Sequence, residues 1–174
     1  MSPQLIACDG ARLGAILEIL NEAIEHSTAV YDYRARTPST MQAWFEAKQR
    51  AGYPVIGAVD AAGALLGFGS FGPFRAWPAY KYTLEHSLYV HPAWRGQGIG
   101  SLLLAELVAR ATQANYHVLI GAVDAGNGAS IALHRRLGFE QCAHIRHAGF
   151  KFNRWLDLLL FQRLLQTPAQ PVDG

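Results

Sequence analysis

The chain is poor in cysteine, in charge and in long apolar runs, and each shortage removes a class of protein. Its two cysteines, Cys8 and Cys142, form no CxxC pair and lie far apart in sequence, which argues against a disulfide framework or a structural zinc site and fits a reducing compartment. Both read as small core hydrophobes. No stretch of about 18 uninterrupted apolar residues occurs, and no basic segment followed by an apolar one opens the chain, so membrane spanning and secretion are disfavoured and a cytoplasmic location is expected. Lys and Arg number 15 and Asp and Glu 13, a formal net charge of +2 without a basic block. Nucleic acid binding leans on several phosphate contacts at once, so no such partner is expected. The seven histidines include no HExxH, so no metal site is expected, and a GxSxG elbow is missing too, which removes serine hydrolase chemistry. What remains is one soluble domain, long enough to bury a core without staples, with a small molecule as its partner.

Glycine is in surplus, at 17 of 174 residues against a usual share of about 7%. Its positions follow the organisation of the chain. Leu5–Cys8 reads as a strand, and Asp9 offers an N-cap to a helix whose apolar stripe is Ile16, Leu17, Ile19, Leu20, Ala23 and Ile24. His26–Thr37, with Tyr31, Tyr33, Arg34 and Arg36, is a longer loop than most connectors, and such loops are often functional. Ser39 or Thr40 can cap a second helix through Met41, Trp44, Phe45 and Lys48, closed near Gly52. Val55–Val59 and Ala64–Ser70 then flank a hairpin turn, Asp60-Ala61-Ala62-Gly63. Gly67, Gly69 and Gly72 suggest bulges or close backbone approach.

Tyr82–Val90 reads as a central strand halted by His91-Pro92, and a helix follows on Ile99, Leu102, Leu103, Leu107, Val108 and Ala111. A buried strand at Tyr116–Val123 leads to a short helix capped by Asn127 and ended by Gly138, and Phe139–His147 and Arg154–Leu165 are two more strands. The order predicts a single mixed α/β sheet with helices on its faces, one domain over residues 1–166 and a frayed tail over 167–174.

Arg95-Gly96-Gln97-Gly98-Ile99-Gly100-Ser101 falls between a strand and a helix. Unpaired N–H groups at a helix start and the positive end of its dipole make an anion site there, and glycine lets the backbone approach closely. A Walker loop would need a Lys-Ser/Thr pair after its last glycine, and a dinucleotide fingerprint would need a third glycine where Ser101 stands. The spacing that is met is R-x-x-G-x-G, on Arg95, Gly98 and Gly100. In this the sequence resembles the pyrophosphate loop of the GCN5-related N-acetyltransferases, and Asn127-x-x-Ser130-x-x-x-His134-x-x-x-Gly138-Phe139 resembles their coenzyme-side helix. Ser27-Thr28-Ala29, Tyr31 and the run from Ala79 to Pro92 look closer still to the phosphinothricin and methionine sulfoximine acetyltransferases. The resemblance spans about residues 5 to 165.

It implies an acyl-CoA N-acyltransferase fold of about seven strands with helices on both faces, acetyl-CoA as donor, and a small zwitterionic amino acid or analogue as acceptor. Leu88, Tyr89 and Val90 would pair with the pantetheine arm, the Val90 N–H would meet the acetyl carbonyl, Gly96, Gln97, Ile99 and Ser101 would complete the pyrophosphate cradle, and Asn127 and Ser130 would touch the coenzyme. Relatives are commonly dimers, so a homodimer is expected, with Phe150, Phe152 and Trp155 available for its interface.

The chemistry needs a neutral amine, yet a lysine-like amine with pKa about 10.4 is only about one part in 2,500 neutral at pH 7, roughly 4.6 kcal/mol of disadvantage. A general base removes it. Glu85 is the candidate, because alternation puts Thr83, Glu85, Ser87 and Tyr89 on one strand face and desolvation there would raise its pKa. The bland alternative is a solvated or arginine-paired carboxylate. His86 points to the opposite face and reads as a satisfied core histidine. His134 shares a helix face with Ser130; it either protonates the leaving thiolate, or bonds a backbone carbonyl while packing under the pantetheine. For the substrate carboxylate, the guanidinium of Arg75 is the natural partner, beside Trp77 and Tyr80, with Thr28 and Tyr31 as lid contributors. Two other readings compete: acetylation of a peptide or protein N-terminus, and a coenzyme-binding module without catalysis, which would have no need of Glu85 and His134.

Overall fold

The apolar patterns become seven strands and four α-helices in a computed structural model that describes residues 3–174. In chain order these are β1 (Gln4–Ala7), α1 (Leu13–His26), α2 (Pro38–Arg50), β2 (Val55–Val59), β3 (Leu65–Pro73), β4 (Thr83–Val90), α3 (Ile99–Gln113), β5 (Val118–Asp124), α4 (Gly128–Arg136), β6 (Glu140–Lys151) and β7 (Arg154–Leu164). The strand order is β1-β2-β3-β4-β5-β7-β6. β4 and β5 run parallel, a geometry that requires a crossover, which α3 supplies; the pairs β1–β2, β2–β3, β5–β7 and β6–β7 are antiparallel. This is the mixed α/β sheet that the sequence predicts.

Two compact units make up the chain, one running to Ser70 and taking in Leu88–Leu104, the other formed by Phe71–Ser87 and Ala105–Gly174. In the first, Ile16 and Ile19 of α1, Met41 and Phe45 of α2, and Val55, Val59, Leu65 and Phe68 of the strands form a core, each large apolar side chain contributing about 1.5–3 kcal/mol on burial. Asp9 caps a 3-10 turn over Gly10–Arg12 rather than α1 itself, its carboxylate accepting from Ala11 N. The α2 cap is Thr37, not Ser39 or Thr40. Pro38 occupies the first helical position, where its fixed φ and missing N–H cost nothing, so the cap falls one residue before it, with Thr40 closing a reciprocal capping box. The β2–β3 turn is as expected, Asp60 accepting from Ala62 N and Ala64 N while Gly63 takes φ +81°.

In the second unit the core includes Leu119, Ile120, Phe139, Leu159 and Phe161. β6 outruns its expected end at His147, because that residue turns with φ +54° where the register shifts and the strand continues to Lys151. Residues 167–174, expected to fray, are tied back: Thr167 Oγ1 donates to the Tyr116 carbonyl at 2.6 Å, and Val172 N donates to the Tyr82 hydroxyl at 3.2 Å.

Candidate active site

The glycine loop belongs to the first unit. After β4, a 3-10 turn over Pro92–Trp94 leads to Gly96 and Gly98, whose φ of +77° and +85° are left-handed conformations that other residues rarely adopt. A Cβ at either would meet nothing within 4 Å, so the loop surface is open there. The Gly98 carbonyl accepts from Leu102 N at 3.1 Å, and the first N–H groups of α3 lie outside the helix's own ladder, at the positive end of its dipole. That arrangement suits a multiply charged anion. Gln97 folds back, its amide donating to the Ala93 carbonyl.

Arg95 acts as a tie. Its guanidinium donates from Nε to the Val90 carbonyl at 3.2 Å and pairs with Glu22 of α1 at 2.5 Å. Glu22 has no signal in the sequence, since nothing local marks one half-buried helical glutamate among others. Gly67 gains its explanation here: a Cβ would stand 2.8 Å from the Tyr89 carbonyl and 3.2 Å from Val90 Cα. A side chain on β3 would therefore displace the end of β4. The Tyr89 ring lies 5.5 Å from that of Phe68, and the Leu66 carbonyl accepts from His91 N at 2.9 Å. Thr28 and Tyr31, in the same unit, lie on the loop after α1, Thr28 half-buried and Tyr31 exposed. Arg36 pairs with Asp32 at 2.8 Å on that loop, with half its side chain exposed.

Glu85 and Arg75 both belong to the second unit, Glu85 half-buried and Arg75 exposed. Along β4, Leu84 and His86 are buried while Thr83, Glu85 and Ser87 are half-buried, the alternation of a strand with two unlike faces. Burial pushes the Glu85 carboxyl above its ordinary range, and the positive charge of Arg75 pulls the other way. The ring beside Arg75 is that of Phe74 rather than Trp77. Arg75 stands 5.0 Å over the ring of Phe74, which Tyr80 meets edge-on at 5.7 Å, whereas Trp77 is 75% exposed. The β4–β5 ladder covers Thr83–His86 and Val118–Gly121 and stops there, although β4 runs on to Val90 and β5 to Asp124.

On the opposite face of β4, His86 meets His134. The Nε2 atoms are 3.1 Å apart and the rings stack at 5.1 Å, with Phe139 edge-on to both and Phe161 5.4 Å from His134. His134 Nδ1 donates to the Ser130 carbonyl at 2.7 Å. His86 is in the core as expected but is not satisfied, since its Nδ1 is buried without a partner. Of the two readings of His134, the bond to a backbone carbonyl is the one present here: the ring is buried, both nitrogens are engaged, and it shares a face with His86 rather than with Glu85. Burial and the neighbouring His134 push His86 down to about 3, and burial lowers His134 as well. Gly121 makes room for both rings, for a Cβ there would stand 2.7 Å from His86 Nε2 and closer still to His134 Nε2. Asn127 caps α4, accepting from Ser130 N at 3.0 Å. Among the described residues no group of three or more His, Cys, Asp or Glu could hold a metal ion, and no helix is long and apolar enough to cross a membrane.

Comparison with known proteins fits this geometry. The model of the acetyltransferase (GNAT) family matches residues 15–139. The L-methionine sulfoximine/L-methionine sulfone acetyltransferase of Pseudomonas paraeruginosa is 43% identical over 93% of this chain and 94% of its own. Among solved structures, a GNAT superfamily phosphinothricin acetyltransferase from Sinorhizobium meliloti, in complex with acetyl-CoA, is 36% identical with a TM-score of 0.95, covering 100% of this chain and 95% of that one. The ribosomal-protein-alanine N-acetyltransferase of Brucella melitensis is 41% identical with a TM-score of 0.91, over 93% and 99% of the two chains.

Proposed function

The chain belongs to the GNAT family of acetyltransferases, and from that membership we propose that it moves the acetyl group of acetyl-CoA to the α-amine of a small amino acid or analogue of the methionine sulfoximine, methionine sulfone or phosphinothricin type, by direct attack in a ternary complex. The observation that carries the reading is Glu85, a half-buried carboxyl whose pKa burial raises, within reach of the charge of Arg75. A base poised upward and a guanidinium are what a zwitterionic amino acid needs, one for its ammonium proton and one for its carboxylate.

Acetyl-CoA supplies the thioester carbonyl. The open, left-handed turns at Gly96 and Gly98 and the start of α3 suit its pyrophosphate through backbone N–H groups, with Arg95, Gln97, Ile99, Gly100 and Ser101 completing the loop. Leu88, Tyr89 and Val90 offer backbone to the pantetheine arm, and Asn127 and Ser130 face the coenzyme from the start of α4. Glu85, directly or through water, takes the first proton of the ammonium; the neutral nitrogen then bonds to the acetyl carbon as the carbon–sulfur bond breaks, and the second proton lost by that nitrogen goes through water to the departing thiolate. The Val90 N–H donates to the carbonyl oxygen as negative charge grows on it. Arg75, over the ring of Phe74, pairs with the substrate carboxylate; Trp77 and Ser87 in the second unit, and Thr28 and Tyr31 in the first, remain substrate-side candidates.

We take residues 1–166 as one N-acetyltransferase domain, a reading supported by a family match that runs through both compact units. It is a cytoplasmic homodimer that uses neither nucleic acid nor membrane. Exposed Ile145, Phe150, Phe152 and Trp155 on β6, β7 and the turn joining them support the dimer.

A second reading, acetylation of a protein N-terminus, is favoured by the likeness to the Brucella enzyme. Arg75 separates the two, since a peptide has no carboxylate beside its α-amine. Free thiol release from acetyl-CoA should be fast with methionine sulfoximine, methionine sulfone or phosphinothricin and slow with peptide amines. Tight coenzyme binding without turnover on any amine would overturn the enzyme reading. Arg75→Ala should raise the amino acid KM about ten- to a hundredfold, the worth of one charge-assisted bond, and move the acid limb of the rate to higher pH, because Glu85 loses the charge that holds its pKa down. Loss of coenzyme affinity instead would assign Arg75 to the other side of the site.

A further inference from the structure

The two buried histidines can be assigned tautomers from geometry alone. A carbonyl oxygen only accepts, so His134 Nδ1, 2.7 Å from the Ser130 carbonyl, carries a proton. In the neutral ring its Nε2 is then bare, and the 3.1 Å approach of the two Nε2 atoms requires the proton of that bond to sit on His86. His86 Nδ1 is left bare, which agrees with its being the buried side-chain nitrogen that lacks a partner. Gly121, Phe139 and Phe161, none of them titratable, pack against the pair, and the Ser130 hydroxyl stands 3.4 Å from His134 Nδ1, where it can accept from the same N–H. Glu85 lies on the other face of β4, and Arg135 and Arg136 of α4 are exposed.

We propose that His86 is a positioning residue: by donating its Nε2–H to His134 it fixes that ring as the Nδ1–H tautomer, which holds the Ser130 carbonyl and so the first turn of α4 carrying Asn127 and Ser130. The pair is an ordered neutral lock. It transfers no proton in turnover, and its service is to coenzyme affinity, an assignment that rests on the acetyltransferase reading above.

Imidazole nitrogen-15 spectra of the wild-type protein should show His134 protonated at Nδ1, His86 protonated at Nε2, and neither ring titrating between about pH 6 and 8, around the ordinary histidine value near 6.5. The opposite tautomers, or titration of either ring in that window, would overturn the lock whether or not the protein is an acetyltransferase. His86→Leu removes the donor and should weaken coenzyme A binding, measured by calorimetry without turnover, about tenfold, the scale of one buried polar group left unsatisfied, while kcat at saturating substrates changes less than about threefold. His86→Gln, whose amide can donate to His134, should recover most of the loss. Equal affinity in the two variants, or a fall in kcat at unchanged affinity, would remove the positioning role. Absence of coenzyme A binding by the wild type would instead strike the acetyltransferase reading and leave the tautomer result standing.

Discussion

Glu85→Gln is expected to lower kcat/KM for the amino acid at pH 7 by about a hundred- to a thousandfold, within the usual range for removal of a general base. The loss should shrink as pH rises, because the free amine becomes abundant and the base has less to do. Wild-type rate should climb through a limb set by the raised Glu85 pKa, and that limb should vanish in the variant. An unchanged pH profile would remove Glu85 as the base. Stability should move the other way. The folded chain holds the Glu85 proton to higher pH than the unfolded chain does, so over that window the folded state binds more protons and its stability falls as pH rises. Gln has no such proton to lose. Urea midpoints of the variant should therefore equal or exceed the wild type above the Glu85 pKa, separating a catalytic loss from a folding defect.

Gly121→Ala is the second large effect. The new methyl would overlap His86 Nε2 at 2.7 Å and stand still nearer His134 Nε2, and both rings are confined by Phe139, with Phe161 against His134. Neither can retreat without breaking the Nε2–Nε2 bond or the bond to the Ser130 carbonyl. Overpacking of this kind costs about 1–3 kcal/mol, and the buried polar groups put the expected value at the upper end, read as a lower urea midpoint. A midpoint within about 0.5 kcal/mol of the wild type would mean that the histidine pair is loose enough to accommodate an extra carbon.

Local order in the sequence foretold what depends on local order. The stripe of Ile16, Ile19, Ala23 and Ile24 marked α1, Asp60 to Gly63 marked the hairpin, and Asn127 and Gly138 bracketed α4, because periodicity, capping and left-handed glycine act over a few residues. The place of Glu85 on the half-buried face of β4 is legible for the same reason, since it is the one carboxylate in an apolar alternating run. The cap of α2, Thr37, lies two or three residues before Ser39 and Thr40; all three residues carry a capping oxygen, and only the preference of Pro38 for the first turn separates them. Phe74 and Trp77 are alike in the sequence, since a loop has no period to say which aromatic turns inward. The histidine pair is not legible in the sequence because 48 residues separate its members, and neither has a local mark that names the other. Gly121 likewise has no turn or motif around it to mark its role.

The tie made by Arg95 changes what a short motif stands for. Three letters, an arginine and two glycines, are what a scan detects, yet the arginine's guanidinium is spoken for by Glu22, 73 positions upstream, and by the backbone of Val90. Gly67 must also stay bare for the same stretch of backbone to lie where it does. The true footprint of the loop is thus scattered over both α1 and β3. Grafting the seven residues from Arg95 to Ser101 into another strand-to-helix turn would carry over the curvature without the anchors that hold it in register.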